Sequence, residues 1–97
     1  MNEMLAKYGW SMSGNVVSNS KGKQVFTINY DLPGKYRFYD TAGNLLMSTP
    51  DLVRGAETIA FIHEMKKLGT KMEIVLVNEK PAKVYWHSDG SFIIKPL

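Results

Sequence analysis

The side chains able to do chemistry in this chain are two histidines, nine carboxylates, twelve lysines and arginines, and five tyrosines, with no cysteine. Nucleophilic catalysis needs a Ser, Thr or Cys held against a histidine that a carboxylate orients, and only His63 and His87 are available as that base. Neither lies in a catalytic motif. His63 reads as a solvated helix residue and His87 as a surface residue at a strand end, with contact to an anion as its alternative role. Zinc needs three or four convergent ligands. His63 and Glu64 are adjacent and so leave a helix at different azimuths, which excludes a metal site there. Asp31, Asp40, Asp51 and Asp89 each sit in or beside a turn, where aspartate is expected to accept backbone N–H bonds rather than act in a catalytic pair. Gly22-Lys23 and Gly34-Lys35 lack the earlier glycine and the following Ser or Thr of a phosphate-binding loop, and no GxGxxG occurs. The expectation is a protein that is not an enzyme, with no cofactor, no metal and no small-molecule substrate.

The chemistry that remains is recognition. In Lys35-Tyr36-Arg37-Phe38-Tyr39 the two-residue period of a strand puts Tyr36 and Phe38 on one face and Lys35, Arg37 and Tyr39 on the other. In Lys83-Val84-Tyr85-Trp86-His87 the same parity sets Lys83, Tyr85 and His87 opposite Val84 and Trp86, and Lys71 and Lys95 are placed to join them. These eight residues are the candidate nucleic-acid-binding set. Lys and Arg would hold phosphates while Tyr stacks or donates a hydrogen bond. The competing reading is that a two-layer domain solvates its outer sheet face with long polar side chains. Residues 35–39 lack the Gly/Phe spacing of an RNA-binding RNP1 motif. Trp10 and Trp86 read as packing residues rather than base platforms. A net charge of +3 and a pI near 9.2 incline the chain toward anionic partners, nucleic acid or an acidic protein surface.

A chain of 97 residues can build one core, so residues 1–97 read as a single domain. The absence of cysteine fits a cytoplasmic setting, that of a host cell if the chain is phage-encoded. No apolar run suits a signal peptide, and none approaches the roughly 18 residues of a membrane span.

The elements that must position these side chains follow from periodicity and turn chemistry. Residues 2–8 read as a short helix closed by Gly9, and 10–18 as a weak strand. The best alternation is at 24–30, followed by a type II turn at Asp31-Leu32-Pro33-Gly34, a strand at 35–40, a tight connection at 41–44 and a strand at 45–48. Thr49-Pro50-Asp51 starts a helix that Gly69 stops. Its stripe is Thr58, Phe61, Ile62, Met65 and Leu68, with Glu57, His63, Glu64 and Lys67 opposite, and Gly55 moves its proper start toward Ala56. Strands follow at 71–77, 82–87 and 92–95, the last two joined by a two-residue hairpin at Asp89-Gly90. The predicted fold is α+β, a mainly antiparallel sheet of about six strands (α-β-β-β-β-α-β-β) with helices packed on one face. The strand at 92–95 is an exposed edge able to pair across a two-fold axis, so monomer and homodimer are both open.

The order Met4-Leu5-Ala6-Lys7-Tyr8-Gly9-Trp10, Lys35-Tyr36-Arg37-Phe38, Ala42-Gly43-Asn44-Leu45, then a helix ending Leu68-Gly69 before Met72-Glu73-Ile74, resembles the "double wing" DNA-binding domains typified by the C-terminal domain of the phage activator MotA. The resemblance rests on residue type and spacing over nearly the whole chain. It implies a saddle of antiparallel strands with helices behind, using the basic sheet face on DNA, with Lys35, Arg37, Lys83 and Tyr85 at the corresponding strand positions. The activator that typifies them carries a separate N-terminal domain that contacts the host polymerase, and the expectation from these 97 residues is a wing without that domain. The expected function is therefore a non-enzymatic module that binds duplex DNA, a phage-type transcriptional accessory. The alternative is a small phage anti-defence inhibitor, anti-CRISPR-like, that docks on a host protein complex.

Overall fold

The computed structural model describes residues 1–31 and 34–97. A short helix α1 (Asn2–Ala6) leads into β1 (Ser11–Ser13), β2 (Val16–Ser18), β3 (Gln24–Asp31), β4 (Lys35–Asp40) and β5 (Leu45–Thr49). Helix α2 (Leu52–Lys67) follows, and then β6 (Ile74–Val77), β7 (Lys80–Trp86) and β8 (Phe92–Pro96). The class is α+β and every strand pair is antiparallel. The strands divide into two sheets rather than one: β1-β2-β3-β4-β5 and β6-β7-β8. β5 runs beside β8 without sharing a hydrogen-bonded ladder with it. The single strand expected over 10–18 is two, because the chain reverses at Gly14-Asn15 and pairs Ser13 with Val16.

Three of the hairpin loops have the same construction. In residues 19–23, 40–44 and 87–91 the first N–H donates to the last carbonyl, and the N–H of a glycine (Gly22, Gly43, Gly90) donates back to the first carbonyl. Each of those glycines has φ between 77° and 89°, the left-handed position that closes a three-residue loop with a bulge. The connection at Asp89-Gly90 is therefore one residue longer than the expected two-residue hairpin. Asp40 Oδ1 accepts from the Ala42 and Asn44 N–H groups, and Asn19 Oδ1 from those of Lys21 and Lys23, so short polar side chains fix two of the loops. The expected type II turn of residues 31–34 lies outside the described residues, although the hairpin it joins is present, with Asp31 paired to Lys35.

One core serves both sheets. Val17, Phe26, Phe38, Leu46 and Met47 enter it from the first sheet, Val75, Ala82, Val84, Phe92 and Ile94 from the second, and Ala56, Ile59, Ala60 and Ile62 from α2. Thr58, Ile59 and Ala60 are consecutive and all buried. At 100° per residue they span more than half the helix circumference, so α2 is covered on more sides than one stripe allows. The expected stripe is corrected at its end: Leu68 is 77% exposed.

Gly55 does not delay the helix, which begins at Leu52 with Asp51 at its N-cap. A Cβ on Gly55 would lie 2.8 Å from both Phe38 Cζ and Thr49 Cγ2, so the residue that lowers helix propensity is the one that lets α2 approach β4 and β5. Thr49 Oγ1 accepts from the Asp51 N–H at 3.2 Å, at the corner between β5 and the helix. At the other side Glu57 ties α1 to α2, taking the ammonium of Lys7 and, at 3.0 Å, the guanidinium of Arg54. The Lys7 hydrogen bond holds the Glu57 carboxyl below its ordinary range, and Lys7 is raised in return. Among the described residues no helix is long and apolar enough to cross a membrane.

Candidate functional site

Strand β4 is the fourth of five, and its alternation is as the sequence implies: Phe38 is fully buried while Lys35 and Arg37 are exposed on the opposite side, with Tyr39 half-covered. The register places Arg37 between Asn29 on β3 and Ser48 on β5, and Tyr39 between Thr27 and Leu45. Asn29 Oδ1 accepts from Asn15 Nδ2 at 3.3 Å. The outer face of the first sheet thus presents an ammonium, a guanidinium, two amides and hydroxyls around one central strand. That set can donate to phosphate oxygens and base edges without a metal or a nucleophile.

The second sheet carries another group. Lys83 on β7 lies directly opposite Lys95 on β8, and both ammonium groups stand over the Tyr85 ring, 5.3 and 5.8 Å from its centroid. Val84 beside them is buried, so the parity expected for Lys83 and Tyr85 is present. Lys71 belongs elsewhere. Its ammonium is 5.5 Å from the Trp86 ring, with Lys66 of α2 at 5.9 Å from the same ring. Trp86 follows Tyr85 in β7, so its side chain leaves by the other face; it packs on Phe92 and donates its indole N–H to the Met72 carbonyl at 2.8 Å. His87 is exposed and opens the β7–β8 loop, its backbone N–H given to the Ser91 carbonyl. The eight candidate residues therefore fall into Lys35, Arg37 and Tyr39 on one sheet, Lys83, Tyr85 and Lys95 on the other, Lys71 with Trp86, and His87 in a loop.

His63 is not the solvated residue expected. Its imidazole lies between Trp10 and Phe92, where burial first and the neighbouring Lys66 second push its pKa down to about 4, against Glu64 and Asp40. It is neutral at pH 7. A cleft of about 460 Å³ opens over it between the three similar loops, lined by Lys23, Asp40, Lys66 and Asp89 among others. Three of the charged groups there are already engaged: Asp40 accepts from the N–H groups of its own loop, Lys66 Nζ donates to the Gly90 carbonyl at 3.0 Å, and Asp89, held below the ordinary carboxylate range by the Ser91 hydroxyl and N–H, caps its own loop. Among the described residues no three His, Asp or Glu side chains converge as a metal site.

Ile74 and Leu76 share the exposed face of the second sheet and were not singled out from sequence. Their alternation with Val75 and Val77 was visible, but every residue of that run is apolar, so pattern alone could not tell the outer pair from the inner one. The chain matches no protein-family profile, and no curated protein and no solved structure shows significant similarity to it.

Proposed function

We propose that the chain is a non-enzymatic module that binds duplex DNA through the outer face of its five-stranded sheet, as a transcriptional accessory of the double-wing kind. The observation that carries this reading is the alternation of Lys35, Arg37 and Tyr39 on the exposed side of β4, flanked in register by Asn29 and Ser48. A face of hydrogen-bonding groups on a rigid, fully paired strand lays two cations on a phosphate backbone at little ordering cost, and the net charge of +3 favours the encounter.

Fluorescence anisotropy of a labelled synthetic duplex, titrated with the protein at several salt concentrations, tests it. With two phosphates neutralised, log K falls against log salt with a slope near −2, at about −0.9 per phosphate. The K35E/R37E variant binds all sequences more weakly, by roughly a hundredfold, since each charge-assisted contact contributes about 1.5 kcal/mol or more. Binding that ignores salt, or that survives the double reversal unchanged, overturns the proposal.

A further inference from the structure

The outer face of the three-stranded sheet differs in character from the face proposed for DNA. Across its strands Leu76, Pro81 and Leu97 form one row. Ile74, Lys83 and Lys95 form the next, and Tyr85 with Ile93 the third. Leu76 and Leu97 are 64% and 72% exposed, Ile74 and Tyr85 48% and 44%, so this face holds apolar side chains in water on both sides of its lysine row. Within it stand two ammonium groups directly across from each other, an arrangement that works against the pairing of β7 with β8. Among the described residues neither lysine has an ion pair, and each is placed only over the Tyr85 ring.

Apolar area without cover and like charges without a counterion are relieved together by a partner that brings apolar side chains and a carboxylate in one piece. We infer that this face docks an acidic, amphipathic segment of another protein, whose apolar side chains lie on the Leu76 and Ile93 rows and whose Glu or Asp sits between Lys83 and Lys95. Charge disfavours a second copy of the chain, because a two-fold axis through the lysine row would bring both lysine pairs together. Position disfavours an anionic membrane for Lys83: cations that serve a membrane lie at the rim of an apolar patch, where they reach headgroups, and of the two lysines only Lys95 is on an edge strand, whereas Lys83 is on the central one with apolar rows on both sides. Duplex DNA would set phosphates against isoleucine and leucine, which desolvates charge with nothing in exchange. The inference concerns a different sheet from the DNA reading and stands or falls without it.

The test uses the full chain, isotope-labelled for amide chemical-shift mapping. It is titrated with three synthetic peptides that share one leucine-rich amphipathic sequence and differ only in flanking residues, Glu, Gln or Lys. The glutamate peptide is expected to shift the amides of Ile74, Lys83, Tyr85, Ile93 and Lys95, and the glutamine peptide to bind at least tenfold more weakly. K83E/K95E should reverse the preference toward the lysine peptide, and K83Q/K95Q should abolish it; both positions are exposed, so the fold tolerates the changes. Equal affinity for the glutamate and glutamine peptides, no shift with the glutamate peptide at millimolar concentration, or an unaltered preference in either variant overturns the inference. So does perturbation of the same amides by phosphatidylserine vesicles, by the duplex, or by self-association on concentration.

Discussion

The imidazole of His63 sits 5.9 Å from the Trp10 ring and 5.4 Å from that of Phe92, measured between centroids, and that position controls how the fold responds to acid. Out of water the charged form is disfavoured, and Lys66 disfavours it further; Glu64 and Asp40 pull the other way and lose, leaving a pKa of about 4 against the ordinary 6.5. Between those two values the unfolded chain binds a proton that the folded chain refuses, so the stability is fully present above pH 6.5 and is lost as pH falls toward 4. At ~1.4 kcal/mol per pH unit the loss amounts to about 3 kcal/mol. Urea unfolding of the native protein and of His63→Leu over that range isolates it: the native protein should weaken on acidification by about that much more than the variant. Parallel profiles would mean that the ring is protonated in place without cost. The helical wheel puts His63 with Glu57, Glu64 and Lys67 on the side away from the stripe. That side is solvated only if one sheet covers the helix, and the number of sheets is not a property of the helix sequence. By contrast the outward placement of Lys35, Arg37, Lys83 and Tyr85 was legible, because parity within a strand depends on nothing beyond the strand itself.

At the scale of an element, what decides the rest is loop length. A two-residue loop at Asp89-Gly90 would have set Lys83 against Pro96; the three-residue loop sets it against Lys95, and the opposed ammonium pair exists only in that register. One residue in a loop thus determined a feature of the candidate surface, and the Asp-Gly dipeptide serves both loop types, so sequence did not distinguish them. The β6–β7 turn is a true two-residue loop, with Val77 paired to Lys80 and both Asn78 (φ 50°) and Glu79 (φ 67°) left-handed. Asparagine tolerates that conformation, but for glutamate the contact of Cβ with its own backbone costs about 1–2 kcal/mol. Glycine at the second position removes the cost and returns part of it as unfolded-chain entropy. Glu79→Gly should therefore raise stability by about 0.5–1 kcal/mol, read as a higher urea midpoint at unchanged slope. A lower midpoint would show that the carboxylate makes a contact worth more than the strain.

At the scale of the whole molecule, neither sheet has a core of its own. Phe26 and Phe38 from one and Val84 and Phe92 from the other belong to a single buried cluster with Ile59 and Ile62 of α2 between them in sequence. Short alternating segments told that the strands would be antiparallel, but about six were expected where there are eight, because the reversal at Gly14-Asn15 inside 10–18 carries no alternation signal of its own. The split into two sheets was not legible, since it turns on whether the edge strands β5 and β8, which lie side by side, share a ladder, and no local residue in either strand announces that they do not. The shared helix has a consequence for unfolding. If the candidate DNA face and the apolar face are held by one core, damage to that core releases both at once, and the domain cannot lose one surface while keeping the other. Ile62→Ala, at a position with no exposure, should cost about 2–5 kcal/mol, and in native-state hydrogen exchange the amides of β4 and β7 should lose protection together and by the same free energy. Loss of protection in β7 at a stability where β4 is still closed would mean that the three-stranded sheet docks on a core complete without it, and the two faces would then be separable by mutation.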